Sequence, residues 1–135
     1  MSKQVFYNQD SYTKMREAVE ETTRAVKVTY GPGGRFVALP QYDGALKYTK
    51  DGVTVAKEIS FSDPAKNAVA KTLCEAAEKT NDIAGDGTTT ATILAHAIFS
   101  EGVKGVSAGM NPMDIKRGIE TATRAVTEQL QANSR

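Results

Sequence analysis

Four stretches with helical spacing of apolar residues, bounded by glycine, proline or capping side chains, occupy most of this 135-residue chain. They restrict it to a mainly helical fold. In the first, Met15, Ala18, Val19, Thr22, Ala25 and Val26 form one stripe, and Arg16, Glu17, Glu20, Glu21 and Lys27 occupy the other faces. Asp10 or Ser11 is the expected cap. The helix is expected to run into Thr29-Tyr30 and stop at Gly31-Pro32, because proline restricts the residue before it and donates no hydrogen bond. The second opens at Ser62-Asp63-Pro64, a capping side chain followed by proline at the first helical position. Its stripe is Ala65, Ala68, Val69, Leu73, Ala76 and Ala77, and Gly85 breaks it after Ile83-Ala84. The third starts near Thr88, carries Ile93, Leu94, Ala97 and Ile98, and fades at Gly102 or Gly105. The fourth follows Asn111-Pro112, with Ile115, Ile119, Ala122, Val126 and Leu130 expected to face inward.

Between the first two helices the texture changes. Arg35 to Leu39 and Ala45 to Thr49 are rich in strand formers and flank Tyr42-Asp43-Gly44, which predicts a β-hairpin. Val53 to Ile59 reads as a further short strand, and Lys3 to Tyr7 as extended. Such strand edges invite pairing with another chain.

Lys and Arg number 17 against 16 for Asp and Glu, a net charge of +1 that argues against a dedicated nucleic-acid-binding module. Cys74 is the single cysteine, which excludes an internal disulfide framework and a thiolate zinc finger. With His96 as the single imidazole, a zinc-hydrolase site is also disfavoured. His96, between Ala95 and Ala97, reads as structural, and Cys74 as a small core residue. No apolar run approaches the roughly 20 residues needed to span a bilayer. Met1 to Asp10 has no apolar centre of the signal-peptide kind. A soluble, cytoplasmic setting without membrane or nucleic-acid partners is the expectation.

Chemistry concentrates in three glycine-containing turns, Thr29-Tyr30-Gly31-Pro32-Gly33-Gly34-Arg35, Thr49-Lys50-Asp51-Gly52 and Gly85-Asp86-Gly87-Thr88-Thr89-Thr90. In the third, glycines expose backbone N–H groups and threonines open a helix, whose N-terminus offers unpaired donors and positive dipole potential for phosphate. Asp86 in the same turn could bind the hard cation that accompanies a nucleotide triphosphate. Neither GxxxxGK[ST] nor a strand-linked GxGxxG occurs, so a P-loop kinase and a dinucleotide fold are both disfavoured. On the residues alone, a Gly-Asp-Gly followed by threonines is more often a capped helix start. Lys50-Asp51-Gly52 is likewise more often a plain turn.

A wider pattern resembles a known family. Gly85-Asp86-Gly87-Thr88-Thr89-Thr90-Ala91-Thr92, preceded by Asn81-Asp82, is similar to the nucleotide motif of the bacterial-type (group I, 60 kDa) chaperonins. Val26-Lys27-Val28-Thr29, Gly31-Pro32, Gly34-Arg35, Thr49-Lys50-Asp51-Gly52-Val53, Glu101-Gly102 and Ala108-Gly109-Met110-Asn111-Pro112-Met113-Asp114 also match, in the family's order and spacing. The resemblance implies a mainly α fold, an antiparallel helical bundle with a small β-hairpin, of the chaperonin equatorial-domain type. Residues 1–135 would be the amino-terminal half of that ATP-binding domain, with the intermediate and apical domains and the returning equatorial half absent.

Carried onto this chain, the resemblance implies ATP or ADP with Mg²⁺, and K⁺, as cofactors. Thr29, Tyr30, Gly31 and Pro32 would line the nucleotide pocket, and Lys50 would sit near the phosphates. Asp86 would hold magnesium, and Gly87, Thr88, Thr89 and Thr90 would wrap the phosphates. Asp51 would be catalytic, beside the attacking water or a potassium ion. The implied function is ATP-driven assistance of protein folding in a ring of identical subunits. Unfolded clients and a co-chaperonin would act through the missing domains. The family's second catalytic aspartate lies outside this chain, so the 135 residues alone are expected to be inactive as an ATPase. Tyr30 stands where the family commonly has leucine, Gly33 where it has lysine or arginine, and Phe36 where it has asparagine, while Lys47-Tyr48 makes the hairpin more polar. The alternative is a non-catalytic helical self-assembly module derived from a chaperonin.

Overall fold

The fold begins from one amphipathic helix and the elements that cover its apolar side. The structure is a computed structural model, which describes Val5 and residues 8–134. The extended segment expected at Lys3 to Tyr7 lies outside the described residues, apart from Val5. Two compact units divide the chain, residues 1–96 and residues 97–135.

In the first unit, α1 (Asn8–Lys27) starts ahead of the expected caps. Asp10 lies inside its first turn, where its charge favours the helix dipole, so neither Asp10 nor Ser11 is the cap. Ala18, Val19, Thr22, Thr23 and Val26 are buried, while Met15 and Ala25 are half-buried. The helix closes at Lys27 because the next amides tighten. Thr29 N and Tyr30 N donate to Val26 O and Lys27 O, three residues back, at 3.1 Å each.

The hairpin forms as expected. β1 (Val37–Pro40) and β2 (Leu46–Thr49) pair antiparallel, with Val37 opposite Thr49 and Pro40 opposite Leu46. Gly44 takes a φ of 81°, and Asp43 Oδ1 accepts from Ala45 N at 3.0 Å to close the turn.

The expected strand at Val53 to Ile59 is instead a helix, α2 (Gly52–Glu58). Two interactions override the β-branched run. Asp51 caps the segment, accepting from Thr54 N at 2.9 Å and Val53 N at 3.3 Å. Val55 and Ala56, adjacent in sequence, are both buried against Val26, which a strand with alternating faces does not allow. Ala25, Val37, Ile59 and half-buried Cys74 pack around this cluster. Burial of the Cys74 thiol raises its pKa, as fits a packing residue.

α3 (Pro64–Ala84) begins and ends as the sequence indicates, capped by Asp63 and stopped by left-handed Gly85. Its buried line is Ala70, Leu73 and Ala77; Ala68 and Ala76 of the expected stripe are exposed, because α1 and α2 cover the former line. Lys14 Nζ meets Asp63 Oδ2 at 2.5 Å, and Lys66 Nζ meets Glu17 at 2.7 Å, tying α1 to the start of α3.

α4 (Thr88–Ser107) starts in the first unit, where Thr92 is buried and its hydroxyl donates to Thr88 O at 2.9 Å. In the second unit its end forms a Schellman cap, with Met110 N donating to Gly105 O at 3.0 Å and Gly109 N to Val106 O at 2.9 Å. α5 (Pro112–Asn133) follows, capped by Asn111 Oδ1 accepting from Met113 N at 2.8 Å. Ile115 packs on Gly102 and Gly105 of α4. The expectation that the α5 stripe faces inward does not hold. Ile119, Ala122, Val126 and Leu130 are exposed, and α5 has no buried residue, because no described residue of this unit covers that stripe.

Two predictions come from this packing. Lys14, first, and the Ala65 amide, second, hold the Asp63 carboxyl below its ordinary value of 3.8. Its contribution is therefore complete above that value and disappears as pH falls through the lower folded value. Asp63→Ala should melt below the parent at pH 7, and in thermal unfolding the gap should narrow as pH falls below 3.8. The Thr22 hydroxyl, in contrast, is buried without a hydrogen-bond partner. Thr22→Val keeps the shape and removes that cost, and should raise stability by about 1 kcal/mol in urea unfolding.

Candidate functional site

The first turn is shaped by a close backbone approach. Gly34 N donates to Gly31 O at 2.9 Å and Arg35 N to Val28 O at 2.8 Å, folding residues 29–35 back on themselves. A Cβ at Gly34 would collide with the Thr29 carbonyl, so only glycine fits there. Thr29 is buried, and its hydroxyl donates to Val26 O at 2.8 Å. Its role is to hold the turn. Tyr30, Gly31 and Pro32 are exposed on the surface of this loop.

The second turn carries Lys50 and Asp51. The Asp51 amide donates to Thr49 Oγ1 at 3.0 Å, and the carboxylate accepts from Val53 N, Thr54 N and, at 2.5 Å, Thr54 Oγ1. Partial burial works against its charge, but the Thr54 hydroxyl, the Thr54 and Val53 amides and the Lys57 charge outweigh it and lower its pKa below 3.8. Asp51 is thus an exposed, ionised carboxylate held in one orientation. The Lys50 ammonium lies over the Phe36 ring, 4.9 Å from its centroid.

In the third turn Gly85 N donates to Asn81 O at 2.7 Å, ending α3. Asp86 Oδ1 accepts from Gly87 N at 2.6 Å, which orients an exposed carboxylate at the mouth of α4. Thr88, Thr89 and Thr90 form the first turn of α4, whose N–H groups have no acceptor within the helix.

Gly52 joins the second turn to the third and to the last turn of α1. A Cβ there would collide with Thr89 Oγ1 and come within 3.1 Å of Val26 Cγ1. The start of α2, the start of α4 and the end of α1 therefore meet at one buried glycine. The structure brings Lys50-Asp51-Gly52 to Thr89 and to the helix turn before Thr29, and it brings Lys50 to Phe36. Among the described residues no group of three or more His, Cys, Asp and Glu could hold a metal by itself. A nucleotide-borne cation has no need of one, since Mg²⁺ takes one or two carboxylates and fills its shell with water and phosphate oxygens. The hard oxygen of Asp86, adjacent threonine hydroxyls and free helix-start amides are a donor set that suits such a group.

Sequence reasoning did not find the parts played by Gly52 and Phe36. The signal for Phe36 is the hairpin register, which puts it across from Lys50 one step beyond the Val37–Thr49 pair. Gly52 gave none beyond the Asp-Gly turn, since its neighbours Val26 and Thr89 are remote in sequence.

This mainly helical chain with its two-stranded hairpin has the chaperonin equatorial-type fold. The profile of the TCP-1/cpn60 chaperonin family matches residues 22–135, and the chain belongs to that family. It is similar to the chaperonin gp146 from the bacteriophage EL 2 (Pseudomonas aeruginosa), whose crystal structure was determined in the presence of ATP-BeFx. The two share 38% identity with a TM-score of 0.65, over 70% of this chain and 18% of that one. The chain thus spans less than a fifth of the length of that chaperonin. Among the described residues no helix is long and apolar enough to cross a membrane.

The contact at Gly52 can be measured. Gly52→Ala should lower stability by about 1–3 kcal/mol through overpacking. Gly33→Ala, where an added Cβ meets nothing within 4 Å, should leave urea unfolding unchanged.

Proposed function

We propose that the three converging turns form a Mg²⁺·ATP site, and that this chain is the ATP-binding, amino-terminal half of the equatorial domain of a group I chaperonin. The observation that carries the reading is the fit of Gly52 beneath Thr89, which couples the Lys50-Asp51 turn to the Gly85–Thr90 turn. In this reading Thr88, Thr89 and Thr90 offer backbone and hydroxyl donors to phosphate, with Gly87 letting the chain come close. Lys50 adds positive charge, and Tyr30, Gly31 and Pro32 form the wall, held by buried Thr29. Asp86 would hold Mg²⁺, which when bound neutralises charge developing on the transferred phosphoryl group. Asp51, ionised and fixed by Thr54, would accept a hydrogen bond from the attacking water or face K⁺. The crystallisation of the phage chaperonin with ATP-BeFx supports the ligand class.

The parent function is ATP-driven folding of client proteins in a cytoplasmic ring of identical subunits. Clients and a co-chaperonin would be met by portions of the family outside these 135 residues. A second reading, a non-catalytic self-assembly module, draws on the α5 stripe, where Val126 and Leu130 are 58% and 65% exposed. Thermal stabilisation by Mg²⁺·ATP separates the two, because only the first expects it.

The experiment aimed at the site is calorimetric titration of Mg²⁺·ATP into the chain and its Asp86→Ala variant. Loss of the carboxylate should weaken binding by about tenfold or more, some 1.4 kcal/mol, and make it insensitive to Mg²⁺. Equal Mg²⁺-dependent affinity in both proteins would overturn the assignment.

A further inference from the structure

We infer that Phe36 is a positioning residue for Lys50, and that ring and ammonium act as a pair in holding nucleotide phosphate. The inference rests on the reading of the three turns as a phosphate site and adds to it a residue outside them. The ammonium is 4.9 Å from the ring centroid, within the roughly 6 Å range of a cation–π contact. The hairpin sets this up. Val37 lies opposite Thr49, and one further antiparallel step carries Phe36 opposite Lys50.

Phe36 has little else to do. It is 64% exposed and stands outside the core cluster of Val26, Val55 and Ala56. Its π-face is nevertheless occupied by the one side chain of the second turn whose charge suits phosphate. The backbone on either side of Lys50 is already fixed, with Thr49 in β2 and with Asp51 capping α2 beside the Gly52–Thr89 contact. What stays free in such a lysine is the four-carbon stem, and its rotamer freedom is the main entropic cost of meeting an anion. The ring restricts that stem before a ligand arrives. An ammonium resting on an aromatic face keeps N–H donors on its far side for a phosphate oxygen.

The test is the affinity of the full 135-residue chain for Mg²⁺·ATP by calorimetry in a double-mutant cycle. Phe36→Leu keeps apolar bulk but removes the π-face, and should weaken binding about threefold, the size of an exposed cation–π contact. Phe36→Tyr should restore it. In a Lys50→Ala background Phe36→Leu should add nothing, an outcome that a purely structural ring would not produce. The chain has no tryptophan, so Phe36→Trp adds a single indole. Its emission should change when Mg²⁺·ATP is added, and this change should vanish with Lys50→Ala. Unchanged or tighter binding in Phe36→Leu, or a loss that persists undiminished in the Lys50→Ala background, overturns the inference and leaves the phosphate site standing. Absence of Mg²⁺·ATP binding by the unsubstituted chain overturns both.

Discussion

Gly52 has no Cβ to strike Thr89 Oγ1, and for that reason α2 can begin against the first turn of α4 and the last turn of α1. Directly below this contact lies the best-buried apolar cluster of the first unit, Val26 with Val55 and Ala56. The same approach therefore closes a core and brings the turn before α2 to the first turn of α4. Asp51 makes the arrangement possible from the other side. By accepting from the first amides of α2 it turns a β-branched segment into a helix whose apolar face meets Val26.

Charge plays a smaller part. Lys14–Asp63, Lys66–Glu17 and Lys57–Glu78 link α1, α2 and α3 along the surface, where solvent keeps each contribution modest. Their value is directional. Glu78 raises the pKa of Lys57, mainly through its hydrogen bond, and the Lys57 charge in turn helps keep Asp51 ionised.

The second unit reads differently. The Schellman turn at Gly109 and the Asn111 cap define the α4–α5 connection through local hydrogen bonds. Ile115 fits against Gly102 and Gly105, yet the stripe beyond it stays exposed. The periodicity of Ile115, Ile119, Ala122, Val126 and Leu130 correctly indicated a helix and incorrectly indicated burial, because periodicity reports a face and not what covers it. This chain spans 18% of the phage chaperonin it resembles.

Helix starts at Asp63-Pro64 and Asn111-Pro112, the stop at Gly85 and the hairpin turn at Asp43-Gly44 were determined by the sequence alone. Each is made by side chains and backbone within a few residues of one another, so the chemistry that specifies it is contiguous. The ordered motifs around the three turns likewise identified the family. Tertiary structure decided what those local rules left open. Val53 to Ile59 became a helix because Val26 buries Val55 and Ala56 together, and the α3 face turned to Ala70 because α1 and α2 cover it. Thr89 and Val26 reached Gly52 across long stretches of intervening chain. Such contacts depend on which surfaces pack, a property of the whole fold that no short window of residues contains.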